Sequence, residues 1–457
     1  MIEIGTIPAT EREIYRVIIT RRDASELLVV PTGTWLLPRV ALVPRRRVAD
    51  QLIAECRARW AIDSYCLFVP DISASDKPPC VVMESLRQNC DAPRGTRWVH
   101  RDLACGCLRE EKTAVAEALA EVDSYRTQQK LGPFARPGWL KELFEWVETQ
   151  IAPLNLRPTG RFEQFNASPT FSLVRIETDG KAVWFKATGG PNRHELSIAC
   201  VLSQLFPCYV PTLIAVRESW NAWLSMEVTG ASLDSLQETS EWKKVAAELA
   251  EFQIASTDTL PELTGSGCKD FTSSKLMSQV APFLDRVSRL MAMQKKRPPP
   301  SLTRCEIDFL GEQLRKAVAL LGETGLPDTI GHLDFNPGNI FVGPRGCVFL
   351  DWSEGCVASP LITLEYLREH FLRSHPRGPG TEEIDEAYRR AWSGFVSREK
   401  VLQAMEASRL VAVFAYSLAL SASALANDSA PRQDGFLRSL ARRMFREAHG
   451  WGRSSPA

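Results

Sequence analysis

The chain turns on Ile330-Gly-His-Leu-Asp-Phe-Asn-Pro-Gly-Asn-Ile-Phe-Val342, followed closely by Cys347-Val-Phe-Leu-Asp-Trp352. Its polar skeleton is His332, Asp334, Asn339 and Asp351. Apolar runs flank these groups, Ile340-Phe-Val342 on one side and Val348-Phe-Leu350 on the other. Gly343-Pro-Arg-Gly346 between them has turn chemistry, so the segment reads as loop, short strand, tight turn, short strand. An antiparallel hairpin folds the chain back on itself, which would bring Asn339 and Asp351 to the same end.

Phosphoryl transfer needs such a set. One carboxylate orients an attacking hydroxyl and takes its proton, while an Asn oxygen and a second carboxylate hold Mg²⁺ against nucleotide phosphates. The Asp334-to-Asn339 spacing equals that of the protein-kinase catalytic loop, which is also followed by a metal-binding Asp. Here Trp352 follows that Asp, and no Arg follows His332. His-x-Asp-x-x-x-x-Asn with a later Asp-Trp resembles the aminoglycoside phosphotransferase and choline kinase family of small-molecule kinases. Leu333 stands where that family carries Gly, and Asn336 where it carries a second His.

The resemblance covers roughly residues 160–450 and implies an α+β, bilobal protein-kinase-like fold with a small β-rich lobe and a large helical lobe. It implies ATP or GTP as donor, Mg²⁺ as cofactor and a small-molecule hydroxyl as acceptor. Asp334 would be the base, Asn339 and Asp351 the metal ligands, and His332 a brace for the loop.

Composition fits that picture. The 457 residues allow two to three domains at ~150 residues each. Hydrophobic residues at 44% and charged ones at 24% suffice for real cores. Lys plus Arg equals Asp plus Glu, 55 each, so no global basic field points to nucleic acid. The start, Met1-Ile-Glu-Ile-Gly-Thr-Ile-Pro8, lacks the basic-then-apolar pattern of a secretory signal. The longest apolar run, 410–426, is broken by Ser417, Ser421 and Ser423 and reads as a core helix rather than a span. Twelve cysteines without an export signal read as reduced thiols, and Cys80, Cys90, Cys105 and Cys107 match no zinc spacing. The expectation is a cytoplasmic protein with no membrane or nucleic-acid partner; oligomeric state is not legible.

Three segments are expected: 1–152, 153–229 and 230–457. In the first, strands at 14–20, 26–31, 35–38 and 40–43 precede a helix over 48–60, with Ala49, Leu52, Ile53 and Cys56 on one face. Trp35-Leu-Leu-Pro38 before Ala54-Glu-Cys-Arg-Ala-Arg-Trp-Ala-Ile62 resembles a Nudix hydrolase domain, which implies an α/β fold. Nudix chemistry needs several helix carboxylates to collect Mg²⁺. Only Glu55 remains; Ala58 and Arg59 replace the glutamate pair, and Ala54 stands where an Arg is expected. The reading is a Nudix-like fold without hydrolase activity. Helices over 109–129 and 140–151 lead to a linker at 153–158.

In the second segment, strands at 171–177 and 182–187 flank a Thr178-Asp-Gly-Lys181 turn. The kinase resemblance makes Lys186 the contact to the nucleotide phosphates and Glu195, in the first turn of a helix over 193–206, its partner. Strands at 211–215 and 222–228 follow, and Glu227 and Val228 would offer backbone groups to the base, as at a kinase hinge. The stretch Gln164-Phe-Asn-Ala-Ser-Pro-Thr170 holds no glycine. Backbone amides there approach phosphate less freely, so either the side chains of Asn166, Ser168 and Thr170 substitute or nucleotide binding is weak. Ser168 is counted with the nucleotide-binding residues.

The third segment reads as helices at 241–255, 274–293 and 302–321, with more after 361. Gly265-Ser-Gly-Cys-Lys269 reads as a flexible loop, without Walker spacing, and 295–300 as a solvated basic linker. Glu306, Asp308, Glu365 and Glu369 are acidic candidates for acceptor recognition, and Glu354 is near Asp351 in sequence. The competing reading is a nucleotide-binding pseudokinase with a scaffold role. A Nudix-type hydrolase fails on its missing carboxylates.

Overall fold

A computed structural model describes residues 12–32, 35–44, 46–69, 78–108, 111–127, 132–295, 298–376, 378, 380–424 and 430–454, with side chains described except at 127, 421–424, 430–433 and 452–454. The expectations for residues 1–8, the outer ends of the 109–129 helix, part of the 295–300 linker and 425–426 lie outside the described residues. Contacts divide the chain into two compact units. One is Met1–Arg193 with Leu213–Glu227, the other His194–Thr212 with Val228–Ala457.

The first unit opens with β1 (Glu13–Arg21), β2 (Glu26–Val29), β3 (Arg39–Leu42), α1 (Val48–Trp60), β4 (Ser64–Phe68), β5 (Cys80–Ser85) and β6 (Arg97–His100). The helices α2 (Arg101–Cys107), α3 (Lys112–Thr127) and α4 (Trp139–Ile151) follow. The strands form a sheet in the order β4-β5-β1-β2-β6, with β3 also on β1. Only the β1–β5 pairing is parallel within it. Alternation along β1 splits its side chains between two cores. Tyr15, Val17 and Ile19 meet Ala49, Leu52 and Cys56 of α1, whereas Ile18 joins Leu119 and Val122 of α3 and Leu140 and Leu143 of α4. The expected helix over 48–60 is present with its apolar face inward.

A second sheet in the same unit runs β10-β11-β9-β8-β7. Its strands are β7 (Pro158–Gln164), β8 (Ser172–Thr178), β9 (Val183–Ala187), β10 (Leu213–Arg217) and β11 (Ala222–Met226), all antiparallel, with α5 (Glu195–Leu205) intervening in sequence. Val174, Ile176, Phe185 and Leu224 share one buried cluster with α3 and α4, so the core continues across residue 153. The sequence reading starts this sheet at 171; β7 precedes it. Pro158 and Gly160 disguise the strand, and its one fully buried side chain is polar, Gln164 at 1% exposure. The glycine-free stretch is therefore the connection between β7 and β8.

Beyond α5, the second unit contains β12 (Ala231–Ser232), α6 (Thr239–Ala255), α7 (Leu260–Gly265), β13 (Lys269–Phe271), α8 (Ser273–Ala292) and α9 (Arg304–Glu323). Next come β14 (Thr329–His332), β15 (Ile340–Gly343), β16 (Gly346–Phe349) and β17 (Gly355–Ala358). The chain ends in α10 (Leu361–Ser374), α11 (Glu382–Trp392), α12 (Arg398–Ala424) and α13 (Ala430–Ser454). Small sheets β12-β15-β16 and β13-β17-β14 sit among these helices. One core gathers Trp242, Leu249 and Phe252 of α6 with Leu310 and Leu314 of α9 and Leu364 and Phe371 of α10.

The 265–269 segment is not a loose loop. Gly265 ends α7, Ser266 and Cys268 are buried, and Lys269 opens β13, paired with Cys356. Gly267 has φ +106°, and a Cβ there would lie 2.8 Å from the Cβ of His194. Both the positive φ and the close approach to His194 call for glycine here. The 410–424 part of the apolar run lies in α12, with Leu410, Val411, Phe414 and Ala415 buried in the same core. Among the described residues, no helix is long and apolar enough to cross a membrane. Each of the twelve cysteines lies outside any disulfide.

Candidate active site

The hairpin read from sequence is present. β15 and β16 pair from Ile340↔Phe349 to Gly343↔Gly346, and the Leu350 N–H extends the ladder by donating to the Asn339 carbonyl at 2.8 Å. Asn339 and Asp351 thus emerge at one end. Helix α6 fixes the other end, where Glu248 accepts the Cys347 N–H at 2.5 Å and Lys244 donates to the Gly343 carbonyl at 3.0 Å. Gly346, at φ +125°, makes the turn without Cβ strain. Lys244 and Glu248 were not singled out from sequence, because a helix-surface Lys and Glu give no local signal.

His332 joins the loop to the hairpin. It is buried, its Nδ1 accepts the Asp334 N–H at 3.0 Å, and its Nε2 lies 3.0 Å from the Leu350 carbonyl. An acceptor role for Nδ1 leaves Nε2 as the N–H donor, so the neutral ring with its proton on Nε2 is the form that fits. Burial pushes its pKa down, against the nearby Leu350 carbonyl, Asp351 and Asp334. Its backbone N–H is held by Thr363 Oγ1 at 2.9 Å. His332 is therefore a positioning residue, as the sequence reading expects of a brace.

Asp334 is exposed in the loop between β14 and a 3-10 turn at Pro337–Asn339. Loss of hydration raises its carboxyl above the usual range; Asn336, bonded to Oδ1 at 3.2 Å, and His332 oppose this, and Asp351 and Glu354 add like charge. The Asn339 side-chain nitrogen donates to the Asp334 carbonyl at 3.1 Å. Asn336 also accepts the Gly338 N–H at 3.0 Å, capping the turn. Asp351 takes left-handed backbone geometry, φ 63°, ψ 63°, which is uncommon for a residue with a Cβ. Such outliers concentrate where surrounding structure enforces a functional geometry.

These groups suit Mg²⁺. Asn339 engages its nitrogen with the Asp334 carbonyl and has an amide oxygen to offer, and Asp351 has a carboxylate, both hard oxygen donors. Among the described residues no group of three or more His, Cys, Asp or Glu side chains could hold a metal by itself. A two-ligand set suits an ion that retains water and shares substrate phosphates.

Other candidates are distributed over both units. Lys186 lies in β9, opposite Leu173 and Trp223, on the face away from Phe185 and the shared core. Its ammonium is 6.0 Å from the Phe171 ring and 5.7 Å from the Trp223 ring. Glu195 is buried at 2% exposure in the first turn of α5 and belongs to the other unit. His194 beside it binds the Ser353 carbonyl at 2.8 Å, tying α5 to the turn after Asp351. The boundary between the units falls between Glu227 and Val228. The Glu227 N–H, however, donates to the Ala182 carbonyl at 3.0 Å, so it serves the protein and not a base. Its carboxylate is held by Arg175 Nε at 2.5 Å.

In the β7–β8 connection, Asn166 spends its side chain on the Phe171 carbonyl and the Leu173 N–H, at 2.9 and 2.6 Å. That corrects its expected role as a phosphate substitute. Ser168 Oγ accepts the Thr170 N–H at 3.3 Å. The acidic candidates of the large segment also have local work. Glu306 caps α9, Asp308 pairs with Arg304, Glu365 is buried against Arg368 and Ser408, and Glu369 pairs with Arg373 and Arg443. Glu354 pairs with Lys269. The sequence reading did not single out Tyr366 and Tyr416, whose pKa values burial pushes up, with the Asp334 and Glu354 charges adding to the effect; helix tyrosines carry no motif.

No family model and no curated protein matches the chain. Solved structures similar to about two thirds of it are small-molecule phosphotransferases and kinases. A choline kinase from Cryptosporidium parvum is 12% identical, with a TM-score of 0.47, over 69% of this chain and 95% of its own. A choline/ethanolamine kinase family protein from Mesorhizobium loti is 15% identical, with a TM-score of 0.44, over 68% and 95%. A macrolide 2'-phosphotransferase type I is 14% identical, with a TM-score of 0.43, over 66% and 96%. At such identities and TM-scores these likenesses assign neither family nor activity to this chain.

Proposed function

We propose that this chain transfers the γ-phosphoryl group of ATP or GTP to a hydroxyl of a small molecule. The observation that carries the reading is the fixed cluster of Asp334, Asn339 and Asp351, locked through His332 and the Asn339–Leu350 backbone bond. Asp334 orients the acceptor hydroxyl and takes its proton; a raised carboxyl pKa makes it a better base than an ordinary aspartate. Asn339 and Asp351 hold Mg²⁺, which supplies charge neutralisation at the phosphates. Lys186 adds positive charge for the phosphates, and the Val228 backbone serves the base. The three-part division at 153 and 230, with a non-hydrolytic Nudix-like first part, belongs to the same reading. There Glu55 pairs with Arg59 at 2.6 Å, which leaves no free carboxylate pair for a metal on α1.

One observation favours the pseudokinase alternative: the β7–β8 connection lacks glycine and commits Asn166 to its own backbone. A thermal-shift titration with Mg·ATP and Mg·GTP, on wild type and Asp351→Ala, tests the proposal. A ligand at ~100 times its Kd stabilises by roughly 2.7 kcal/mol. A Mg²⁺-dependent shift lost in the variant supports the site and selects the nucleotide. No shift at millimolar nucleotide removes the catalytic reading.

A further inference from the structure

The segment between β7 and β8 is gripped by the N-terminal sheet and its helix α1. Gln164, the last residue of β7, reaches a strand 98 residues earlier. Its Oε1 accepts the Cys66 N–H at 2.9 Å and its Nε2 donates to the Cys66 carbonyl at 2.8 Å. Cys66 belongs to β4, an edge strand, at the point where its pairing with β5 slips register. The Gln164 amide thus closes an edge that would otherwise bury an unpaired N–H and C=O.

Two further contacts join the same elements. The Arg47 guanidinium, at the N-terminus of α1, lies 4.6 Å over the Phe165 ring, which packs at 4.9 Å on Trp184 of β9. Ala167 packs on the cluster that holds Leu52, Cys56 and Cys66. From inside, Asn166 bonds Phe171 and Leu173, and a Cβ on Gly189 would sit 2.6 Å from Thr170 Cβ, so the segment is backed there as well.

We propose that the N-terminal α/β part is a brace that presets the β7–β8 segment for nucleotide, with Gln164 and Arg47 as its positioning residues. The proposal rests on the phosphotransferase reading above. A glycine-rich segment reaches phosphate by flexing and loses that freedom when ligand binds. This glycine-free segment is ordered beforehand by packing, so less freedom is lost on binding. The degenerate metal helix then has a use unrelated to hydrolysis: its N-terminus holds Phe165. Any ligand or partner that shifts α1 or β4 would change nucleotide affinity rather than the chemical step.

The test uses the full chain carrying Gln164→Ala, Arg47→Ala or Arg47→Lys. Hydrogen exchange of the 165–171 amides is read without nucleotide, and Mg·ATP or Mg·GTP affinity by calorimetry well below each Tm. Gln164→Ala should speed exchange at 165–171 selectively and weaken nucleotide binding about tenfold, the scale of one net buried hydrogen bond. KM for nucleotide should rise with kcat nearly constant. Arg47→Ala should give a smaller change of the same kind, restored in part by Arg47→Lys. Exchange rising uniformly over the whole unit, or unchanged exchange and affinity in Gln164→Ala, overturns the brace. If wild type binds no nucleotide, the phosphotransferase reading fails instead, and selective exchange at 165–171 still decides the brace.

Discussion

The side-chain amide of Asn339 donates to the main-chain carbonyl of Asp334 at 3.1 Å, and the Asn339 carbonyl receives the Leu350 N–H at 2.8 Å. One residue therefore joins the loop of Asp334 to the strand preceding Asp351, and in the proposed reading its amide oxygen serves the cation. Asn339→Ala should raise the Mg²⁺ concentration for half-maximal turnover by roughly 10–100-fold. Asn339→Asp keeps an oxygen but places a carboxylate against the Asp334 carbonyl, so it should not restore wild-type behaviour. A Mg²⁺ titration of turnover reads this; an unchanged midpoint in Asn339→Ala removes Asn339 from the metal site.

Asp334 must be ionised to act as base, and loss of hydration raises its pKa. Turnover should fall as pH drops through that raised value, on a limb lying above the ~3.9 of an ordinary aspartate. Asp334→Ala should lose about 10²–10⁴-fold in kcat yet keep the Mg·nucleotide thermal shift. Wild-type turnover in that variant would refute the assignment.

His332 supports the site through two bonds made by its neutral ring. His332→Phe removes the ring partner of the part-buried Asp334 N–H and Leu350 carbonyl, a cost of roughly 1–3 kcal/mol in urea unfolding. Its folded pKa is lowered by burial. The contribution of the neutral ring is thus present above the ordinary ~6.5 and is lost as pH falls through the lowered folded value. The stability-against-pH curve of His332→Phe should be flatter over that acid range. An unaltered slope would mean the ring contributes little to acid sensitivity.

The residues of the hairpin were legible in sequence because their spacing is local: five residues set Asp334 to Asn339, and a four-residue turn set Asn339 against Asp351. The helix over 48–60 was legible from its single apolar face. Strand β7 was not, since proline, glycine and charges hide the period that Gln164 completes through a side-chain bond to Cys66. Nor was the burial of Ser266 and Cys268, in a stretch whose glycines and serine read as a loop. Lys244, Glu248 and Lys269 act through contacts nearly a hundred residues away, which no local pattern records.

Asp328, just before β14, has a carboxyl raised to about 6 by burial, with Asp270 adding like charge. The folded state holds this proton more tightly than the unfolded chain, so its contribution favours folding at low pH. It is lost as pH rises from the ordinary aspartate value towards 6. Asp328→Asn should therefore be more stable than wild type at pH 7.5, by on the order of 1–2 kcal/mol after allowance for solvent screening. The difference should vanish below pH ~3.9. Urea unfolding at the two pH values decides it; equal stability at pH 7.5 would place the Asp328 carboxylate in an environment as polar as water.

Tyr366 projects from α10 with a buried hydroxyl that has no hydrogen-bond partner among the described residues. Its ring meets Tyr416 edge-on at 6.2 Å, and burial pushes its pKa well up, with Tyr416, Cys356, Asp334 and Glu354 adding to the effect. An unsatisfied hydroxyl costs stability unless something binds it. Without ligand, Tyr366→Phe should be neutral or more stable by up to ~1 kcal/mol. If the hydroxyl meets the acceptor, the same variant should raise acceptor KM by about tenfold, one hydrogen bond's worth, while Mg·nucleotide affinity holds. The two measurements pull in opposite directions only for a residue whose partner is the substrate. A stabilised variant with unchanged acceptor KM would make Tyr366 a packing residue and move acceptor recognition away from this face of α10.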